Sequence, residues 1–385
     1  TGPALRKDQD AMMRKAVLTA TVGAAALALG VAACSSSSSP SSSSSGGSNN
    51  GGAKPKIGII LPETATSARW EGADRPALSA ECAKQNLDCD IQNAQGSDQQ
   101  EKSIADQMIK TEHVQILILT QTDPTTGLAV TKEAHDAGVK VIDYDRLVPG
   151  SAPDYYVSFD NVQVGKDQGN ALVAAVKAAN IAKPDVAILD GAPTDNNATL
   201  FNQGYMSVLN PLISGGTWKK SAEQAIANWD NTTAGTTFTS MYNADHGINT
   251  VMVANDGMAN AVIADLKNLG INGKVVVSGQ DATAGGLQHI LDGDQSFSIY
   301  KPSSQEAVPA VDLAAELAAG KTPTENFQTV TDPSNNSPVK SLLATPVTIT
   351  KQNVDQPIKD NYTPYKDVCT AAYTAKCTAA GIAAQ

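Results

Sequence analysis

KIGIIL, residues 56–61, is the stretch that decides the fold: a short apolar run rich in isoleucine, with lysine on one side and Pro62 on the other. Such a run reads as a strand buried on both faces, and it opens a series. Trp70 to Gln85 reads as a helix whose start is broken by Pro76, and Asp88 to Asn93 as a second strand. Asp98 to Glu112 follows as a helix, Gln115 to Thr120 (QILILT) as a third strand, Pro124 to Ala137 as a helix and Val139 to Asp145 as a fourth strand. This β-α-β-α order predicts an α/β fold with a parallel sheet and helices on both faces. Ligand sites in such sheets lie beyond the strand carboxyl ends, which singles out Pro62 to Arg69, Thr120 to Asp123, and Asp145 with Arg146.

The series then repeats. Asp185 to Leu189 (DVAIL), Thr250 to Val253 (TVMV) and Lys274 to Ser278 (KVVVS) are a second set of apolar runs, separated by helical patterns over Asn197 to Ser214, Thr232 to Asp245 and Gly257 to Leu269. Two sheets of similar build predict two similar doubly wound lobes. Tyr156 to Asn161, Ser298 to Pro302 and Thr345 to Thr350 read as the crossings between them. The expected division is residues 55–158 plus 300–325 in an N-terminal lobe and 159–299 plus 326–354 in a C-terminal lobe. Residues 355–385 form a Pro-, Ala- and Thr-rich tail, expected to pack outside as a strap.

Upstream of the fold, Val31-Ala32-Ala33-Cys34 closes an apolar run and opens onto Ser35 to Ser45. With Arg14 and Lys15 as a basic segment and Ala16 to Leu29 as an apolar one too short to span a bilayer, residues 1–34 read as a secretory signal ending in a lipidation site at Cys34. Translation is expected to start at Met12 or Met13, leaving Thr1 to Ala11 as a misplaced start or an expression remnant. Residues 35–54, nearly all Ser, Gly and Asn at their start, bury too little apolar surface to order and read as a tether. The expected location is outside the cytoplasm, anchored to the membrane by the lipid alone.

The charge balance, 28 basic against 39 acidic residues, argues against a nucleic-acid surface, which needs clustered cations. Four cysteines remain after Cys34 in an oxidising compartment, and they allow three connectivities. The short loops favour Cys82 with Cys89 and Cys369 with Cys377, because closing a small loop costs the least entropy. Neither pair has the C-x-x-C form, and the four histidines are scattered, so no metal site and no cofactor are expected.

Seven motifs then appear in order: Arg69-Trp70, Tyr144-Asp145-Arg146, Tyr156 to Asn161 (YVSFDN), Gly191 to Ala198 (GAPTDNNA), Asn255-Asp256-Gly257, Ser278 to Ala282 (SGQDA) and Tyr300-Lys301-Pro302. In this order and spacing the chain resembles, over Lys56 to Val354, the type I periplasmic sugar-binding proteins of the ribose- and xylose-binding kind that serve ABC importers, with motifs most like the xylose-binding branch. The resemblance implies two lobes joined by a three-strand hinge and closing on one monosaccharide. It also brings a departure, since xylose-binding relatives tend to carry a further Trp four positions before the one matching Trp229, where this chain has Ala225.

The residue types suit a sugar. Each hydroxyl is a donor and an acceptor, and a buried polar group left unpaired costs roughly 1–3 kcal/mol. Asp145 and Asp281 can each accept from two hydroxyls, Arg69 and Arg146 donate in a planar fork, and Asn196 and Asn255 offer both functions. Trp70 and Trp229 offer flat faces for the C–H side of a ring, and Lys301 resembles the hinge-side ligand of the family. Each has a plainer reading: an ion pair between Asp145 and Arg146, helix caps at Asp195, Asn197 and Asp256, core packing for the tryptophans. Asp160 and Asn161 read as caps near a hinge.

These residues predict a non-enzymatic, monomeric receptor that captures a monosaccharide and delivers it to an ABC permease. The alternative is a sensor whose closed form engages a kinase or chemoreceptor. An enzyme lacks support, since there is no Ser-His-Asp order and no phosphate loop. A micromolar complex is worth about 8 kcal/mol, within the roughly 15 kcal/mol that about ten ligand atoms allow.

Overall fold

The computed structural model describes residues 53–384; Cys34, the signal and nearly all of the tether lie outside the described residues. β1 (Lys56–Leu61), α1 (Arg75–Lys84), β2 (Asp88–Asn93), α2 (Asp98–Asp106), β3 (Ile116–Leu119), α3 (Pro124–Asp136), β4 (Lys140–Tyr144) and β5 (Tyr155–Phe159) follow in the expected order. β1 pairs in parallel with both β2 and β3, and β4 and β5 continue the sheet beyond β3, so the strand order reverses beside β1. Ile57, Ile59 and Leu61 face one cluster with Leu78 of α1, whereas Ile60 faces the other with Ile104 and Val130. Both faces of β1 are covered, which is why KIGIIL shows no polar alternation. Ahead of α1 the chain makes a wide π-type turn over Trp70–Asp74 that runs directly into α1, and Pro76 sits in the first turn of α1.

The second lobe repeats the design with α4 (Asn161–Ala178), β6 (Asp185–Asp190), α5 (Asn196–Ser214), β7 (Lys219–Ala225), α6 (Asn231–Ala244), β8 (Thr250–Val253), α7 (Asp256–Asn268), β9 (Val276–Val277) and α8 (Ala284–Asp292). Its parallel sheet runs β7-β6-β8-β9. β7 was not foreseen because KKSAEQA is a polar, largely exposed edge strand with no apolar run. α4 and α5 approach so closely that a Cβ on Gly165 would lie 2.1 Å from the Phe201 carbonyl oxygen. Only glycine permits that contact, which seats the start of α5 beside the end of β5.

β10 (Ser298–Tyr300) leads back to α9 (Ser304–Ala318), whose Ala307, Ala310 and Leu313 join the first lobe's core. β11 (Gln328–Thr331) and β12 (Pro338–Ala344) then form a hairpin on the outer edge of the seven-stranded sheet, with β12 parallel to β5. Residues 326–344 therefore sit with the first lobe's sheet, not with the second lobe as the sequence suggested. The physical reason is that the parallel edge of β5 was open to pairing, and the hairpin covers it. β13 (Val347–Ile349) pairs antiparallel with β10 beside the crossings. The chain passes between lobes after β5, after β10 and after β12.

Both disulfides have the local pairing: Cys82 with Cys89, Cα atoms 6.2 Å apart, and Cys369 with Cys377, 5.9 Å apart. The tail is not an outer strap. Val354, Ile358, Tyr362 and Val368 are buried in one cluster with Leu287 and Ile290 of α8 and Tyr300 of β10. No described helix is long and apolar enough to cross a membrane.

Glu101 of α2 holds the loop after β3: fully buried, it accepts the Thr122 N–H at 2.5 Å through Oε2, while Oε1 has no partner among the described residues. Burial pushes its carboxyl from about 4.5 up to about 7, against the pull of Thr122. A carboxyl raised in the folded state holds its proton more tightly there than in the unfolded chain. Stability is therefore greatest below about pH 4.5 for this group and falls as pH rises through about 7, by about 3 kcal/mol in all. Glu101→Gln should remove this part of the slope, read as a flatter dependence of the urea midpoint on pH between 4.5 and 8.

Candidate functional site

The strand ends of both lobes converge on one cavity of about 360 Å³, its mouth included. From the first lobe, the loop after β1 contributes Glu63, Thr66, Ser67, Arg69 and Trp70, and the end of β4 contributes Asp145 and Arg146. From the second come Asp195, Asn197 and Phe201 at the start of α5, Trp229 before α6, Asn255 before α7, and Gln280 with Asp281 after β9; Lys301 enters from the β10 crossing. Past Trp229 and Arg146 the cavity opens into a wider cleft lined by Gln95, Asp98, Thr122 and Thr194, about 1190 Å³ including open solvent.

Arg69 organises the first-lobe side. Its Nε and Nη2 donate to the two oxygens of Asp74 at 2.8 and 2.7 Å, Nη2 also reaches Glu306 at 2.6 Å, and Nη1 reaches Asp145 at 2.7 Å. Tyr144 Oη donates to Asp74 at 2.6 Å and completes a two-pronged grip on that carboxylate. All of these side chains are buried, so this planar fork is held in one orientation. Burial works against ionisation of Asp145, but Lys301, Arg69 and Arg146 outweigh it and hold its carboxyl well below the usual range. Glu306 is the opposite case. Burial and the neighbouring Asp145 push its carboxyl well above the ordinary value despite Arg69 and Lys301.

Asp145 adopts a left-handed φ of 61°, which a non-glycine residue takes only when its surroundings enforce it. Its carbonyl accepts from Tyr156 Oη at 2.9 Å, Ser158 Oγ at 2.8 Å and Asn197 Nδ2 at 3.0 Å. Asn197 also donates to the Asp145 carboxylate at 3.1 Å, and Arg146 Nε lies 3.1 Å from Asp195. These contacts join the lobes across the cavity, with Asn231 Nδ2 donating to the Thr66 carbonyl at 3.5 Å farther out.

Eight of the nine residues singled out from sequence line the cavity: Arg69, Trp70, Asp145, Arg146, Trp229, Asn255, Asp281 and Lys301. Asn196 does not, and its neighbour Asn197 takes the place. Asp195 is the cap of α5, accepting from the Asn197 N–H at 2.9 Å, which makes Asn196 the first helical residue and turns the second, Asn197, inward. The assignment at α7 is likewise exchanged. Asn255 is the cap, accepting from the Met258 N–H at 2.9 Å through Oδ1, and it still lines the cavity. Asp256 is fully buried and accepts from Thr283, Gln295 and Ser298 instead. Trp70 is not a bare platform, since the guanidinium of Arg69 lies 4.5 Å and that of Arg146 5.5 Å from its ring centre. Trp229 donates to Asp195 at 3.2 Å, and its indole lies over Gly191, where a Cβ would come within 2.1 Å of the ring.

Glu63, Thr66, Ser67, Asp195, Phe201 and Gln280 also line the cavity and were not singled out from sequence as binding residues, Asp195 having been read only as a helix cap. The first three lie in the strand-end loop that was flagged, and Phe201 follows Asn197 by one helical turn on the same face. Ala225 ends β7 and lines neither the cavity nor the cleft.

Every cation on the cavity wall already faces a carboxylate: Arg69 faces Asp74 and Asp145, Arg146 faces Asp195, and Lys301 lies 3.6 Å from Asp145 and 3.5 Å from Asp281. In contrast, Trp70 Nε1 and Gln280 Oε1 are buried without a hydrogen-bond partner among the described residues, and Asp281 Oδ1 has only its 3.5 Å ion pair with Lys301. A donor and an acceptor without protein hydrogen bonds thus belong to residues that line the same small space. A neutral molecule with several hydroxyls satisfies both conditions, because it brings hydrogen bonds without charge.

The family model described as "Periplasmic binding protein domain" matches residues 57–322. The chain is 32% identical over 309 residues to the D-xylose-binding periplasmic protein of Escherichia coli (strain K12), covering 80% of this chain and 90% of that one. It is 33% identical over 318 residues to the multiple sugar-binding periplasmic receptor ChvE of Rhizobium radiobacter, covering 79% and 89%. Among solved structures, a carbohydrate transporter solute-binding protein from Chloroflexus aurantiacus in complex with D-glucose superposes with a TM-score of 0.71 at 28% identity, covering 82% of this chain and 98% of that one.

Replacing Arg69 by Met would leave Asp74 buried without its only charged partner among the described residues and take from Asp145 one of its three cations. The expected cost is about 3–5 kcal/mol of stability, read as a lower urea midpoint with an unchanged slope.

Proposed function

The chain belongs to the type I sugar-binding periplasmic binding proteins, extracytoplasmic and non-enzymatic, and from that premise we propose that its cavity captures one neutral monosaccharide and presents it to an ABC permease. The observation that carries the reading is that Trp70 Nε1 and Gln280 Oε1, buried without a hydrogen-bond partner among the described residues, and Asp281 Oδ1, held only by an ion pair with Lys301, belong to residues lining a cavity whose cations all face carboxylates. A sugar hydroxyl at each of these atoms replaces the water it loses on entry. The pairing also sets charge preference: a uronic acid would bring a carboxylate against Asp145, Asp195 and Asp281 with no free cation to receive it.

Closure follows from the same contacts. A sugar touching Asp145 from one lobe and Asp281 from the other favours the closed arrangement by its differential contacts. The protein is proposed to act as a monomer tethered through a lipid on Cys34. Xylose is one candidate, supported by the E. coli relative; glucose is another, supported by the ligand of the Chloroflexus structure. The name of the Rhizobium relative supports a sensing role as the second reading, in which the same closed form meets a sensor ectodomain.

A thermal-shift panel of xylose, arabinose, ribose, glucose, galactose and fucose, with glucuronic acid added, should give a several-degree rise with at least one neutral sugar and none with the acid. Calorimetry on the hit should show binding lost in Asp281→Ala while the unliganded melting temperature is retained. Binding by Asp281→Ala as tight as by the unaltered protein would remove Asp281 from the site. Silence across the neutral sugars would redirect the search to larger saccharides, for which the outer cleft has room.

A further inference from the structure

The C-terminal segment is built into the back of the cleft. On one side it is fastened to α8: Gln288 Nε2 donates to the carbonyls of Asp367 and Val368 at 3.1 and 3.0 Å, and Tyr373 Oη donates to Asp292 at 2.9 Å. On the other it meets the β10 crossing, where the rings of Tyr300 and Tyr362 stand 4.9 Å apart, edge to face. Between these anchors Thr363, buried, donates its hydroxyl to the Ala282 carbonyl at 2.8 Å.

That carbonyl belongs to a strained turn. Asp281 has φ 89° and Ala282 φ 45°, two consecutive non-glycine residues in the left-handed region. Such a pair persists only where neighbouring groups enforce it. Three hydrogen bonds do so: Asp281 N–H to the Ile299 carbonyl at 2.8 Å, Ala282 N–H to Ser298 Oγ at 2.9 Å, and Thr363 to the Ala282 carbonyl. The first two come from the hinge strand, and the third comes from the tail. Behind the turn, a second cavity of about 410 Å³, open space included, has Arg69 and Asp281 in its wall together with Tyr362 and Thr363. The tail thus forms the rear support of two side chains whose front faces line the sugar cavity.

We infer that Thr363 is a positioning residue of the binding site, holding the Asp281–Ala282 turn from the C-terminal segment, and that the Cys369–Cys377 loop keeps this segment seated. The inference rests on the sugar-binding reading for its effect on affinity. Without the hydroxyl, the Ala282 carbonyl loses its partner, the strained pair relaxes, and the Asp281 carboxylate leaves its place opposite Lys301. The disulfide acts at a distance, by shortening the excursions of the segment beyond Val368.

Thr363→Val keeps the shape and removes the donor; Thr363→Ser keeps the donor. Calorimetry on the full chain with D-xylose and D-glucose should show Thr363→Val weakening whichever sugar the unaltered protein binds by about tenfold, and Thr363→Ser within about threefold of it. Cys369→Ser with Cys377→Ser should weaken binding in the same direction. In parallel, hydrogen exchange on the unliganded proteins should be faster at the amides of residues 281–283 in Thr363→Val and unchanged in Thr363→Ser. Equal affinity and equal exchange in Thr363→Val and the unaltered protein would overturn the inference, as would a lower melting temperature with affinity and local exchange unchanged. If the unaltered protein binds neither sugar, those ligands are removed from the functional reading, and the exchange comparison alone decides the role of Thr363. If Thr363→Val does not fold, the cysteine double variant decides it by the same two measurements.

Discussion

The grip of Arg69 on Asp74, with its free edge handed to Asp145, is the interaction on which the rest of the site depends. A guanidinium buried this deeply is tolerable only if its charge is met and its donors are used, and four of its five N–H positions are committed to carboxyl oxygens. Asp74 lies one turn onward in the same helical segment, Tyr144 ends β4, and Glu306 arrives on α9 from the far side of the hinge. A single side chain therefore ties the loop after β1, the end of β4 and the returning helix together. With Arg69 fixed, Asp145 has one place to be, and its strained backbone presents its carboxylate to the second lobe.

From that fixed point the electrostatics of the cavity follow. Lys301 stands between Asp145 and Asp281, one carboxylate from each lobe, and so carries charge balance across the hinge. Arg146 does the same with Asp195. Paired in this way, the cations have no need of an anionic ligand, while the neighbouring polar atoms lack hydrogen bonds. This combination distinguishes a site for a neutral polyol from a phosphate or carboxylate site, which leaves cations free to receive the ligand.

Much of this was legible in the residues. The alternation of apolar runs and amphipathic stretches predicted both parallel sheets, and the strand-end rule pointed to the loops that line the cavity. It missed where pattern is silent. β7 is an exposed edge strand of polar residues, and β12 joins the first lobe because an open strand edge there needed a partner; neither fact is written in periodicity. Asn196 and Asn197 are chemically identical neighbours, and the helix start at Asp195 decides which one turns inward. Asn255 and Asp256 differ by one position in the same way. The tail was readable as a cysteine-bearing segment, but its seat behind Asp281 depends on residues some eighty positions earlier.

The sequence by itself determined the α/β architecture, the two-lobed repeat and the set of residue types suited to a sugar, and it favoured the local disulfide pairs among three connectivities. These are properties of composition and spacing: a buried strand must be apolar, a short loop closes at least cost, and hydroxyls call for carboxylates, amides and guanidinium groups. Only the tertiary structure decided which of those groups are already spent on one another and which remain open. Burial makes that distinction, because a polar atom cut off from water must find a partner, and whether the protein supplies it depends on distances of a few tenths of an ångström between segments far apart in the chain.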